Sequence, residues 1–250
     1  MEFDVDCIVI NLADKKDRWQ KIHNSLTNLG IEHRRFEAVN GRTMDDRYDA
    51  LMTPMAKHFT CYGVLGCALS HKLALRDFLE HSDSAICLLL EDDAMVEPAA
   101  VQTMNMLLRL VPAGWDMLKL ASMARRKNGA VVEKHKYTVD GCAQLFSRAG
   151  AEKITRAKIV YPSYPDLTPW FIPGLEVYTV REDHPTFRQN WATSSLADQR
   201  YPSYRLNLRL LRIGSMELAL GDLLLLCLFV LVLVLGILFY FHPKKSRRYK

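Results

Sequence analysis

The chain has 250 residues, room for one domain of ordinary size plus an appendage, and a formal net charge of +5. Lys244, Lys245, Arg247, Arg248 and Lys250 account for that whole excess, so the rest of the chain is neutral and lacks the basic face that a nucleic-acid partner needs. The six cysteines show no paired CxxC spacing, and Met1–Asp6 contains no basic-then-apolar signal segment, which implies reduced thiols and a domain that starts out in the cytoplasm.

Val5–Leu12, VDCIVINL, reads as a first buried strand. The next segment, Asp14–Leu29, places Trp19, Ile22, Leu26 and Leu29 on one helical stripe, with Gly30 where a helix C-cap belongs. Strand then helix opens a βαβ unit. His33–Val39 supplies a second strand that ends at the Asn40-Gly41 turn signal. Arg42–Phe59 has no clear period and reads as a loop with short helices, whereas Gly66–His81 is a helix through Leu69, Leu73, Leu75, Phe78 and Leu79. After it come a strand, a helix over Val101–Leu110 and a short strand over Asp116–Leu120. Val131–Val139 and Gly141–Phe146 are expected to form a hairpin, followed by a helix over Arg148–Arg156. Pro162–Pro173 carries four prolines and reads as a shaped loop that contacts ligand. Cys7 and Cys87 fall inside strands, as small core residues do.

The segment with the most chemistry is Ala85–Glu97, AICLLLEDDAMVE, where an apolar run ends in three adjacent carboxylates, Glu91, Asp92 and Asp93. The run predicts a strand buried on both faces, so charge reaches solvent at its C-terminal end. In open α/β sheets the ligand crevice lies outside the carboxyl ends of the strands. An acidic cluster there is placed to hold a divalent cation and, through it, the diphosphate of a nucleotide sugar. The other reading is a solvated turn that biases the helix start near Pro98 with negative charge.

Several segments together resemble glycosyltransferase family 25, the lipopolysaccharide-type glycosyltransferases whose relatives include procollagen galactosyltransferases. They are IVINLADKKDRW at Ile8–Trp19, GIEHRRFEAVNG at Gly30–Gly41, GVLGCALSHKLALRDFL at Gly63–Leu79, LLLEDDA at Leu88–Ala94 and CAQLFSRAGAEKI at Cys142–Ile154. They occur in family order between Val5 and about Leu196. The resemblance implies an α/β, GT-A-like fold, a nucleotide-sugar donor, commonly UDP-galactose, a Mn²⁺ or Mg²⁺ ion and inversion at the anomeric carbon. It assigns Asp92 and Asp93 to the metal, with Glu91 as a ligand or a supporting partner. The chain has Glu-Asp-Asp where the usual GT-A spacing is Asp-x-Asp. Asn11 and Arg18 follow the first strand where a uridine or its phosphates would sit. Gly63, Gly66, Ser70 and His71 form a GxxGxxxSH pattern on the donor side, where glycines admit close backbone approach. An inverting transfer needs a base for the acceptor hydroxyl. Asp166 in the proline-shaped loop resembles the family's position for it, with Asp140 and Glu176 as weaker candidates. Gln189, Ser194 and Ser195 in FRQNWATSSL resemble the family's closing segment near donor or metal. The partners implied are the donor and a glycan or glycolipid acceptor.

The domain over 1–200 is expected to be followed by a basic amphipathic juxtamembrane segment over 201–222, with Arg205, Arg209 and Arg212 on one helical face. Leu223–Phe241 has no charge and predicts a transmembrane helix, with 242–250 as a basic tail that can meet anionic head groups. The expected location is therefore a single-pass membrane anchor with the catalytic domain on the cytoplasmic face. Two readings follow: a membrane-anchored, metal-dependent hexosyltransferase, or a tail-anchored scaffold that binds sugar nucleotide or a protein partner without turnover.

Overall fold

The computed structural model describes residues 3–121, 130–134, 141–161, 164–165, 168–180, 186–190, 209–213 and 216–241. In chain order the elements are β1 (Val5–Asn11), α1 (Lys16–Asn28), β2 (Arg34–Glu37), a 3-10 turn (Asp46–Leu51), α2 (Pro54–Phe59), α3 (Tyr62–His81), β3 (Ile86–Glu91), β4 (Ala94–Val96), α4 (Ala100–Leu110), β5 (Met117–Lys119), β6 (Val132–Lys134), β7 (Ala143–Ser147), α5 (Arg148–Arg156), a 3-10 turn (Thr168–Phe171), β8 (Val177–Val180), β9 (Phe187–Gln189), β10 (Arg209–Ile213), β11 (Met216–Ala219) and α6 (Leu220–Phe241). They divide into two compact units, Met1–Asp198 and Gln199–Lys250.

The first unit is built on a seven-stranded sheet in the order β2-β1-β3-β7-β5-β8-β6. β1 runs parallel to both β2 and β3, whereas β7 enters antiparallel between β3 and β5. Alternation along the strands sends side chains to two cores. Cys7, Val9, Leu88 and Leu90 pack with Ile22, Leu26, Met104 and Leu107 of α1 and α4. Ile8, Ile10, Cys87 and Leu89 pack with Ala74, Leu75, Phe78, Ala151 and Ile154 of α3 and α5. β3 is therefore apolar at every interior position because helices cover both its faces. Gly30 adopts φ 66° just past α1, the left-handed residue that ends that helix.

Local pattern misplaces one pairing. β6 and β7 do not form a hairpin: β6 pairs antiparallel with β8, through Val132 and Val180, while β7 sits between β3 and β5. α3 also begins earlier than expected, at Tyr62, because Val64, Leu65 and Gly66 are all buried.

In the second unit β10 and β11 pair as an antiparallel hairpin, with Arg212 opposite Glu217. The expectation of an amphipathic helix through Arg209 and Arg212 is thus corrected to a strand, and Arg205 lies outside the described residues. The expectation of a membrane-spanning helix is corrected as well, since no helix among the described residues is long and apolar enough to cross a membrane. The single-pass membrane location and its cytoplasmic-face orientation fall with it.

Candidate functional site

The order β2-β1-β3 makes β1 the point at which the chain changes direction across the sheet: it is followed on one side by β2 and flanked on the other by β3. Crevices for ligands open at such switch points, beyond the carboxyl ends of the parallel strands. β1 ends there in Asn11, and β3 ends there in Glu91, with Asp92 and Asp93 forming the turn into β4.

The three carboxylates do not point at one another's partners. Each is claimed by a different element. Glu91 Oε1 lies 2.8 Å from His71 Nε2 and 3.5 Å from Cys67 Sγ, both on α3. Asp92 accepts from Asn11 Nδ2 at 2.6 Å through one oxygen and from Arg18 Nη1 at 3.1 Å through the other. Asp93 accepts a longer bond, 3.3 Å, from Gln189 Nε2 on β9, and its other oxygen, Oδ1, is buried without a partner. The β4–β9 ladder brings Gln189 there by pairing it with Ala94, and Asn190 N donates to the Asp93 carbonyl at 2.9 Å.

These environments separate the acids electrostatically. Burial works to raise the pKa of Glu91, but the hydrogen bond and charge of His71, with help from Cys67, outweigh it and hold the group below its ordinary value. Burial raises Asp92, and the Glu91 charge adds to this, while Asn11 and Arg18 oppose it. Asp93 is raised furthest, to about 7, by burial first, then by the charge of Glu91 and, less, of Asp92, with Gln189 opposing. A buried carboxylate with an orphaned oxygen and a pKa near neutrality is a group poised to take up a positive charge.

The family model that matches the chain is Glyco_transf_25, glycosyltransferase family 25 (LPS biosynthesis protein), over residues 5–153. The chain belongs to glycosyltransferase family 25. The role that comes with the family is glycosyl transfer. No curated protein matches the chain. Among solved structures, the chain is similar to STIV A197, with 14% identity, 72% of this chain and 82% of that one covered, and a TM-score of 0.42. It is also similar to a glycosyltransferase involved in glycosylation of the major capsid of PBCV-1, with 10% identity, coverage of 76% and 94%, and a TM-score of 0.46. A third is a Drosophila β-1,4-galactosyltransferase 7 mutant in complex with manganese, UDP-Gal and xylobiose, with 12% identity, coverage of 84% and 77%, and a TM-score of 0.42.

The structure of this glycosyltransferase sorts the residues singled out from sequence. It brings Asn11, Arg18, His71, Gln189 and the three carboxylates to one end of β1 and β3. Ser70 is spent on packing: its hydroxyl donates to Gly66 O at 2.6 Å and accepts from Val39 N at 2.8 Å. Gly66 is there for close approach, but to protein, because a Cβ on it would stand 2.6 Å from Val39 O. Gly63 lies in the first turn of α3. Asp166, Asp140, Ser194 and Ser195 lie outside the described residues. Glu176 precedes β8 and donates its N–H to Asp116 at the start of β5, and its side chain pairs with Lys134. β5 runs in the same sense as β3, so Glu176 sits at the opposite end of the sheet from the carboxylates. Two residues were missed. Cys67 reaches Glu91, and its signal was its spacing of one helical turn before His71. Lys119 is fully buried at the C-terminal end of β5, in register with Gln144 and Thr179, and a lysine set between the apolar pairs Met117-Leu118 and Leu120-Ala121 was the available sign.

Proposed function

We propose that the chain is an inverting hexosyltransferase that moves galactose from UDP-galactose to a glycan or lipid-linked acceptor such as lipopolysaccharide, with Mn²⁺ or Mg²⁺ at Asp93. The observation that carries this reading is the Asp93 carboxylate, buried at the switch point with one oxygen unpartnered and a pKa raised to about 7. The residues fit a hard cation: Asp93 would hold it through Oδ1, and Asp92, the next residue, could add an oxygen once Arg18 lets go. When bound, the cation neutralises the diphosphate as it departs.

The chain's own groups do the rest. Gln189 holds one Asp93 oxygen and leaves the other buried without a partner. Asn11 orients Asp92 while its second amide hydrogen goes to Lys15 O, which fixes the β1–α1 turn beside the donor. Arg18, one-fifth exposed, is near enough to solvent to transfer its charge from Asp92 to a phosphate. His71 positions Glu91. Asp166 is the proposed base that takes the acceptor hydroxyl proton, opposite the leaving group.

The test is release of UDP from a panel of sugar nucleotides, with and without Mn²⁺, on the full chain and on Asp93→Asn and Asp166→Asn. Asp93→Asn should lose Mn²⁺-dependent donor binding together with turnover. Asp166→Asn should bind donor normally and slow turnover by about 10²–10⁴-fold, as expected for a missing base. Metal-dependent turnover that survives Asp93→Asn would overturn the assignment, and donor binding without any turnover in the unaltered chain would leave the scaffold reading instead.

A further inference from the structure

The side of the triplet that meets α3 carries donors of a different kind from Asp93. Cys67 and His71 are four residues apart on α3, so their side chains share one helix face, and Glu91 reaches that face from the end of β3. The Cys67 sulfur, a His71 ring nitrogen and a Glu91 oxygen all lie within 4.8 Å of one another, which among the described residues no other set of three such side chains does. We propose that Cys67, His71 and Glu91 form a binding site for a thiophilic divalent cation of the Zn²⁺ class. This site is separate from the oxygen-ligated ion proposed at Asp93 and independent of whether the chain turns over a donor.

The distances are close to what coordination needs. With Zn–S of about 2.3 Å and Zn–N and Zn–O of about 2.0–2.1 Å, a tetrahedron has S···O and N···O edges of about 3.5 and 3.3 Å. Cys67 Sγ already stands 3.5 Å from Glu91 Oε1. His71 Nε2, at 2.8 Å, would have to open by about half an ångström, the difference between a hydrogen bond and two ligands of one ion. A hydrogen bond between His71 and Glu91 satisfies those two groups, and the thiol adds only a weak hydrogen bond to the same carboxylate, whereas a shared ion would use all three as ligands. Cys7, Cys61, Cys87 and Cys142 are buried, whereas Cys67 is only part-buried, as is Glu91, so the cluster is reachable from solvent.

The donor set also selects the ion. A thiolate and an imidazole with one carboxylate suit Zn²⁺ or Co²⁺, whereas Mn²⁺ and Mg²⁺ take oxygen ligands. Binding sends the Cys67 thiol proton to solvent and empties His71 Nε2. A neutral ring then keeps its proton on Nδ1, and a charged ring gives its second proton to solvent, so affinity rises with pH. Three protein ligands leave a fourth position for water. The bound ion would tie α3 to the end of β3, two residues before Asp93.

The experiment is a Co²⁺ titration of the full chain followed by absorption. One equivalent should bind with a thiolate-to-cobalt charge-transfer band in the near ultraviolet and visible bands of tetrahedral intensity. Zn²⁺ should abolish both, and excess Mn²⁺ should leave them. The charge-transfer band should be lost in Cys67→Ser and kept in Asp93→Asn. In the unaltered chain, Zn²⁺ should slow alkylation of Cys67, located by peptide mass, which reads the site even if Cys67→Ser does not fold. Failure to bind Co²⁺, binding without a thiolate band, a band that survives Cys67→Ser in a folded variant, or alkylation of Cys67 indifferent to Zn²⁺ would each overturn the proposal.

Discussion

Asp93→Asn, measured in the presence of a chelator, should gain stability relative to the parent as the pH rises. The Asp93 pKa rises from 3.8 to about 7 in the folded chain, so between those values the native state holds a proton that the unfolded state has released. Stability from this group is therefore fully present below the unfolded value and is lost as the pH rises through the folded one. At ~1.36 kcal/mol per pKa unit the full loss approaches about 4 kcal/mol, and about 2 kcal/mol of it falls between about pH 5.5 and about pH 8. Asparagine is neutral throughout and escapes the loss. Its amide leaves a donor where Oδ1 had no partner, but that penalty does not change with pH and cancels in the comparison. For a chain of this size ~1 kcal/mol moves the melting midpoint by about 2–4 °C. The difference in midpoint between variant and parent should thus widen by about 4–8 °C between the two pH values. A difference in midpoint that does not widen between the two pH values would mean that Asp93 ionises without penalty, and the case for a cation there would lose its physical basis.

Two further substitutions probe how the site is held. Lys72 is buried on α3, its ammonium donating to Ile154 O at 3.1 Å, to Ala157 O at 2.5 Å and to Thr155 O at the end of α5. Lys72→Met should cost about 2–4 kcal/mol in urea unfolding, since those carbonyls lose their partner, and a loss below about 0.5 kcal/mol would show that water replaces it. Gly66→Ala should cost about 1–3 kcal/mol, because its Cβ would sit 2.6 Å from Val39 O and 2.7 Å from Gly41 N and the turn after β2 must shift; an unchanged denaturant midpoint would mean that the turn yields freely.

Much of this was legible in the chain, and what was not has identifiable causes. β1, α1 and β3 could be placed because each buries a long apolar run or stripe with a marked end: Asn11 and Glu91 for the strands, Gly30 for the helix. The β6–β7 hairpin was misread because neighbouring short strands look like a hairpin whatever they pair with, and here β7 is taken up by β3 and β5. The arginines at 209 and 212 fit a helical spacing over too few residues to exclude a strand, and the strand is what forms. Ser70 and Gly66 have the right chemistry for a phosphate, yet tertiary contact with Val39 consumes both.

The fate of the triplet was the least legible, for a general reason. Three adjacent acids at a strand end look like one cluster, but successive residues leaving a strand point in different directions, and what each meets depends on elements far away in sequence. Glu91 still follows the alternation of β3 and faces α3, so His71 takes it. Asp92 and Asp93 lie in the turn, and they meet α1 and β9 respectively. Arg18 occupies both the charge and one oxygen of Asp92, which leaves Asp93 the acid with least compensation. A triplet with every carboxylate paired would be stable and inert. One with an acid left buried and unpaired is less stable than it could be, and the deficit is recovered when that acid takes up a proton or, on the proposed reading, a cation. If that cation brings a diphosphate, Arg18 gains a competing anion, and its release from Asp92 would supply a second oxygen to the ion. Donor and cation would then favour each other's binding through a single ion pair, with no movement of the sheet that carries it.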